Sequence, residues 1–297
     1  MTAPTVIELI DQVAAELEAA GLTLASGFGQ GTLTAFDEAA WLVLWQLGLP
    51  LDDLDSVAAR AVAHDELTEV ATLLRARIDT RKPLAYLTRE AWLQGVPFYV
   101  DERAIIPRSF IAELLVDESI DPWLGEDTHR VLDLCTGNGS LAVLAAMAYP
   151  DIVVDAADIS PEALEVARIN IDRHGLAARI TPLVSDGLSA CEGPYDLILC
   201  NPPYVSAATM DGLPPEFRAE PALALSGNMR GGSDGMDFIR DLLQTAAGHM
   251  SENAVLVLEI GNERDHFERA FPEFDPLWFE TSAGPDQVLL LTRQQLA

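Results

Sequence analysis

The chain has 297 residues, 49% of them apolar, and a formal net charge of −29. That length suits one large domain with a smaller one, and so acidic a surface repels nucleic-acid phosphate and attracts basic partners. No apolar run reaches 18 residues and no basic-then-apolar leader opens the chain, so neither membrane insertion nor secretion is expected. Lys82 is the single lysine, the other 17 basic residues being arginines. Cys135, Cys191 and Cys200 lack metal-ligand spacing and the five histidines are scattered. A reduced cytoplasm without a metal is the expected setting.

Residues 1–82 carry helical spacing. Val6, Leu9, Ile10, Val13 and Leu17 form one apolar stripe, and a second helix runs through Ala39, Leu42, Val43 and Leu47 to stop at Gly48-Leu49-Pro50. A third is expected from about Asp65 to Ile78, with Leu67, Val70, Leu73 and Leu74 inward. This small bundle shows no chemistry of its own and reads as a substrate-gripping cap or a stabilising appendage. From residue 83 to 107 the texture changes to aromatics among Gly95 and Pro97, as in a short hairpin linking two domains. Pro107-Arg108-Ser109 then opens a helix, with Ser109 placed as N-cap and Arg108 as a residue facing a pocket.

Residues 108–297 read as one α/β domain. Arg130–Cys135 is a buried strand, Thr136-Gly137-Asn138-Gly139 a glycine turn, and a helix follows from Leu141 to Ala148. Ile152–Asp158 is the second strand; Ser160 caps the next helix and Pro161 takes its first position. Strands at Ile180–Val184 and Tyr195–Cys200 continue the alternation, which means a parallel, doubly wound sheet. After a polar, Gly-rich excursion (205–235), a helix spans about Asp237–His249 and a fifth strand Ala254–Ile260. The segments 277–280 and 287–291 are joined by too short a loop for a parallel crossover, so they pair antiparallel.

The apolar run Tyr195–Leu199 ends in Cys200-Asn201-Pro202-Pro203-Tyr204. The prolines hold Asn201 rigidly at the carboxyl edge of the sheet, where open α/β folds bind ligands. The Asn201 amide and the Pro202 carbonyl are adjacent acceptors suited to a planar NH2 group, and Tyr204 offers a flat face beside them. Gly137-x-Gly139 with Asp158 about twenty residues on serves a dinucleotide or S-adenosylmethionine equally. Three features favour the latter. Asp133 lies inside an apolar strand, where it can organise the loop or approach a cation. Asp186 follows the third strand, within reach of an adenine amino group. Hydride chemistry, finally, has no use for an NH2 cradle.

Val131-Leu132-Asp133-Leu134-Cys135-Thr136-Gly137-Asn138-Gly139, Asp158-Ile159-Ser160, Asp186 and Asn201-Pro202-Pro203-Tyr204 resemble the HemK/PrmB protein-glutamine methyltransferases. The likeness extends through Ala91-Trp92-Leu93-Gln94-Gly95, Phe98–Arg103, Glu220-Pro221, Asp234-Gly235 and Glu259-Ile260-Gly261. Within that family the Phe98–Arg103 stretch and the Cys135-Thr136-Gly137 loop look like the branch that modifies a ribosomal protein. The segment 226–233 is longer than the family's usual link.

The resemblance implies a class I S-adenosylmethionine-dependent methyltransferase: a seven-stranded, mostly parallel Rossmann-like sheet with an antiparallel last strand, plus a small N-terminal helical substrate-recognition domain. It implies methyl transfer to a glutamine amide of a basic large-subunit ribosomal protein, with no membrane and no direct nucleic-acid contact. Asp133, Cys135, Thr136, Gly137, Gly139, Asp158, Ile159, Asp186, Gly187 and Asn201 would bind the cofactor. Asn201, Pro202 and Tyr204 would carry catalysis, and Arg108, Asn201, Pro202, Pro203 and Tyr204 would meet the substrate. A release-factor glutamine methyltransferase, a nucleic-acid amino-methyltransferase and a non-catalytic assembly factor are the alternatives.

Overall fold

The computed structural model describes residues 3–24 and 26–297. The chain divides into two compact units, one of Met1–Ala91 with Leu213–Ala219, the other of Trp92–Gly212 with Glu220–Ala297.

The first unit is helical. Its helices are α1 (Val6–Ala19), α2 (Ala35–Gln46), α3 (Leu54–Val57), α4 (His64–Thr80) and α5 (Leu84–Thr88). A capping box starts α1: Thr5 Oγ1 accepts from Glu8 N at 3.4 Å, and the Glu8 carboxylate accepts from Thr5 N at 2.8 Å. The stripe read from the sequence, Val6 to Leu17, is the buried face of α1. On α4, Val70 and Leu74 are buried while Leu67 and Leu73 are partly so. The same face of α4 also buries Arg77, which apolar periodicity does not reveal. Arg77 Nε donates to Glu38 at 2.6 Å, Nη1 to Glu216 at 3.2 Å and Nη2 to the Gly27 carbonyl at 2.7 Å. Glu216 arrives on the segment 213–219, so the excursion that follows Asn201–Tyr204 supplies a carboxylate to the helical unit.

A two-stranded hairpin follows, β1 (Ala91–Leu93) and β2 (Val96–Phe98). The second unit contains α6 (Ile111–Val116), β3 (Arg130–Leu134), α7 (Ser140–Ala148), β4 (Val153–Asp158), α8 (Pro161–Arg173), β5 (Ile180–Val184) and β6 (Tyr195–Cys200). Then come α9 (Ala207–Gly212), α10 (Asp237–Thr245), β7 (Met250–Glu259), α11 (Arg264–Ala270), β8 (Leu277–Thr281), β9 (Gly284–Thr292) and α12 (Arg293–Leu296). The seven-stranded sheet has the order β5-β4-β3-β6-β7-β9-β8, and only β9 runs against its neighbours.

Both faces of this sheet are covered, which is why its strands read as continuous apolar runs. Val131, Leu197, Leu199, Val255 and Val257 enter one core; Leu132, Leu134, Ile198, Leu256 and Leu258 alternate into the other. Several boundaries differ from the sequence reading; β9, for one, runs Gly284–Thr292 where 287–291 was expected. Strand β7 begins at Met250 rather than Ala254, and α10 ends at Thr245 before a 3₁₀ turn over 246–249. Phe110, not Ser109, occupies the N-cap of α6. Among the described residues no helix is long and apolar enough to cross a membrane.

Candidate active site

The direction in which strands are added reverses between β3 and β6, so the crevice outside their carboxyl ends is the ligand-binding position of an open α/β sheet. Leu134 pairs with Cys200 across that point. The loops that follow, Cys135–Gly139 and Asn201–Tyr204, therefore leave the sheet side by side. Asp158 and Ile159 end β4, next to β3, and Asp186 and Gly187 follow β5 one strand further out.

Asp133 is 1% exposed. Its Oδ2 accepts from Thr136 Oγ1 at 2.5 Å and from Ala142 N at 2.9 Å, which pins the glycine turn to the start of α7. Its Oδ1 has no partner among the described residues. Burial, above all, pushes this carboxyl up to about 7, and the nearby Asp158 adds to the effect. An unpartnered carboxylate oxygen in an apolar wall is the feature a cationic ligand would complete. The Asn138 side-chain amide nitrogen is buried and also lacks a partner.

Asp158 Oδ2 accepts from Gly137 N and Oδ1 from Ser160 N, both at 2.9 Å. Each oxygen keeps a further lone pair, so the carboxylate is oriented by the backbone and still free to accept from hydroxyls. Gly137 and Gly139 have φ of 55° and 81°, in the left-handed region glycine favours. A Cβ on Gly139 would lie 3.1 Å from Ala167 Cβ, so that glycine serves the close approach of α8. Cys135 adopts φ 62° as a non-glycine residue. The Cys200 thiol beside it, together with burial, pushes the Cys135 thiol well up, so it is neutral and no nucleophile.

On the other side of the switch point, the Asn201 side chain and the Pro202 carbonyl have no hydrogen-bond partner among the described residues. The acceptors a bound NH2 group needs are uncommitted. Tyr204 is half-buried; its hydroxyl lies 3.4 Å from Glu259 Oε1, and its ring packs against Gly261. Arg108 is ion-paired before any substrate arrives, with Nη1 and Nη2 each 2.8 Å from an oxygen of Glu220. Ser109 Oγ donates to Glu259 Oε2 at 2.5 Å while accepting from Ile111 N. Sequence reasoning quoted Glu259 and Glu220 as motif residues without giving them a role. For Glu259 a signal was available, an acidic residue closing an apolar strand; Glu220, in the excursion before Pro221, carried none.

A mostly parallel sheet in this order, with a glycine turn after its first strand and Asn-Pro-Pro-Tyr after its fourth, defines a class I methyltransferase. The family model described as "Methyltransferase small domain" matches residues 112–225. A relative from Bordetella pertussis, "Ribosomal protein uL3 glutamine methyltransferase", is 49% identical over 98% of this chain and 96% of its own. A relative of the same name from Neisseria meningitidis is 48% identical, covering 91% of this chain and 88% of that one. Among solved structures, the hMettl16 catalytic domain in complex with an RNA hairpin matches at 14% identity with a TM-score of 0.49, over 77% of this chain and 81% of that one. The chain belongs to the ribosomal protein uL3 glutamine methyltransferase family.

Proposed function

We infer that this protein methylates the side-chain amide nitrogen of a glutamine in ribosomal protein uL3, with S-adenosylmethionine as methyl donor. The observation that carries the reading is the uncommitted Asn201–Pro202 acceptor pair, set at the switch point of a chain 49% identical to a relative named for that reaction. S-adenosylmethionine, when bound, supplies an electrophilic methyl group on a cationic sulfur. Asp133 and the turn Cys135–Gly139 would hold its methionine end, Asp158 and Ile159 its ribose, and Asp186 and Gly187 its adenine.

An amide nitrogen is a weak nucleophile because its lone pair is delocalised into the carbonyl. Asn201 Oδ1 and the Pro202 carbonyl accept its two N–H groups, which orients the nitrogen and favours positive charge as it develops there. Pro202 and Pro203 keep those acceptors from moving. No base is needed before transfer. The helical unit carries no Asn-Pro-Pro-Tyr and, among its described residues, no Asp-closed strand, and is assigned recognition of the protein around the glutamine. The excess of acidic residues suits a basic substrate, and the reaction belongs in the cytoplasm, where ribosomes are assembled.

The test is incubation of the full chain with labelled S-adenosylmethionine and purified uL3. One added methyl on a single glutamine of uL3 is expected, abolished by replacing that glutamine. Asn201→Ala should keep cofactor affinity while lowering kcat by about two to three orders of magnitude, as for loss of one preorganised group at a reacting centre. Label on a release factor or on nucleic acid but not on uL3 would overturn the reading.

A further inference from the structure

Glu259 closes β7 and is 2% exposed. It joins three segments. Oε2 accepts from Ser109 Oγ at 2.5 Å and Phe110 N at 2.9 Å, and Oε1 lies 3.4 Å from the Tyr204 hydroxyl. Two residues on, a Cβ at Gly261 would sit 2.6 Å from Tyr204 Cε2, so the backbone there must remain bare for the ring to rest against it. The Tyr204 ring is thus located along its edge by Gly261 and at its tip by Glu259. Between Tyr204 and Asn201 lie only Pro202 and Pro203, which transmit position with little freedom.

A carboxylate is a costly choice for this place. Burial pushes Glu259 up to about 7, although the bonds from Ser109 and Phe110 and the positive charge of Arg108, itself forked onto Glu220, work the other way. Gln would fit the same space and satisfy Ser109 and Phe110 at lower desolvation cost. What Gln lacks is a second strong acceptor for the tyrosine hydroxyl.

We propose that Glu259 is a positioning residue for amide-nitrogen methylation: by holding the Tyr204 hydroxyl it fixes the Asn201–Tyr204 loop in the geometry that transfer requires. The inference rests on the reaction assigned above. It is tested in the full-length protein with S-adenosylmethionine and uL3, using Tyr204→Phe, which keeps the ring, and Glu259→Gln, which keeps the shape. Each variant should lower kcat about tenfold, with KM for uL3 and the cofactor Kd held within about twofold, and the double variant should be no slower than the slower single one.

A folded single variant with kcat within about twofold of the wild type, or effects that multiply in the double variant, would overturn the proposal. A merely structural role would lower the melting temperature and leave kcat per folded molecule unchanged, which also overturns it. If Glu259→Gln does not fold, Tyr204→Phe decides alone, because it leaves the Ser109 and Phe110 bonds intact. A wild-type protein that methylates no glutamine overturns this proposal and the reaction together; an active wild type matched by both variants overturns this proposal only.

Discussion

The two units bury ionisable groups in opposite ways. In the helical unit Arg77, fully buried, lies between Glu38 and Glu216 and spends a further N–H on the Gly27 carbonyl. In the sheet unit Asp133 and Glu259 are equally buried but accept only from neutral hydroxyls and backbone N–H groups. Charge inside the first unit is ion-paired within the fold, Arg77 with Glu38 and Glu216 and Arg81 with Glu216, although burial still raises the Glu38 carboxyl. Both carboxyls of the second are pushed up to about 7 by burial, which their hydrogen bonds offset only in part. A buried ion pair is often matched in stability by apolar residues, so its use is to fix one arrangement of chain segments. An uncompensated carboxylate works against stability, and both examples stand where β3 and β7 meet the crevice. The contrast separates residues that hold the architecture from residues proposed to serve the ligand.

The largest effect expected from breaking this contrast is in the helical unit. Arg77→Met strands Glu38 in an apolar interior and leaves Glu216 only its pairing with Arg81, and should cost about 3–5 kcal/mol of stability. Denaturant unfolding of the full chain measures it. The double variant that adds Glu38→Gln should recover most of the loss, because Glu216 keeps Arg81 as its partner and no buried charge is then left unpaired. A single variant within about 1 kcal/mol of the wild type would mean that water reaches the cluster and the pairing is of little weight.

A smaller effect is expected in the crevice, on affinity instead of folding. Asp158→Ala removes an acceptor that the backbone of Gly137 and Ser160 holds in place. S-adenosylmethionine affinity should fall by about 1.5–3 kcal/mol, the range for hydrogen bonds to a charged group. Unfolding should be almost unaffected or slightly favourable to the variant, since burial raises this carboxyl and its ionisation opposes folding. Calorimetry showing unchanged affinity would remove Asp158 from the ribose site.

Most of the sheet was legible because its signals are local and repeated. Apolar runs of five or six residues, Ser160 with Pro161 at the start of α8, and too short a loop between β8 and β9 fix element type and direction without any long-range contact. The acidic and asparagine residues of the crevice were legible for a related reason: each breaks an apolar run at a strand end, as Asp158 and Asn201 do. What the sequence conceals is pairing across distance. Arg77 continues the buried stripe of Val70 and Leu74, but its residue type reads locally as solvent-facing, and Glu38, 39 residues earlier, and Glu216, 139 residues later, make its burial tolerable. Ser109 resembled a helix cap, since a hydroxyl before an apolar run does so locally; Glu259, 150 residues away, turns it into a donor to a carboxylate. Gly261, whose bare backbone lets the Tyr204 ring approach, is a contact that local sequence likewise does not reveal.

The smallest effect, and the one that sharpens the contrast most, is the titration of Asp133. Its carboxyl is raised from the usual carboxylate range to about 7, so near neutral pH it exchanges between a neutral and an ionised form. A cationic ligand beside Oδ1 favours the ionised form, and binding then releases a proton. Affinity for S-adenosylmethionine should therefore hold steady above pH 7 and decline below it, by at most about tenfold per pH unit. In the absence of ligand the sign for stability is the reverse. The folded state keeps a proton that the unfolded chain loses at ordinary carboxylate values, so stability from this group falls as pH rises from there through about 7. Glu259 and Asp158 are also raised and contribute in the same direction, which makes the difference between wild type and Asp133→Asn the informative quantity. The asparagine variant should lose the decline in affinity below pH 7 and should lie closer to the wild type in stability at pH 5 than its own advantage at pH 8. Calorimetric titrations from pH 5.5 to pH 8 in buffers of different ionisation enthalpy count the proton directly. Affinity independent of pH, with no proton released, would place the cation away from Asp133 and leave that carboxyl only the task of holding the glycine turn.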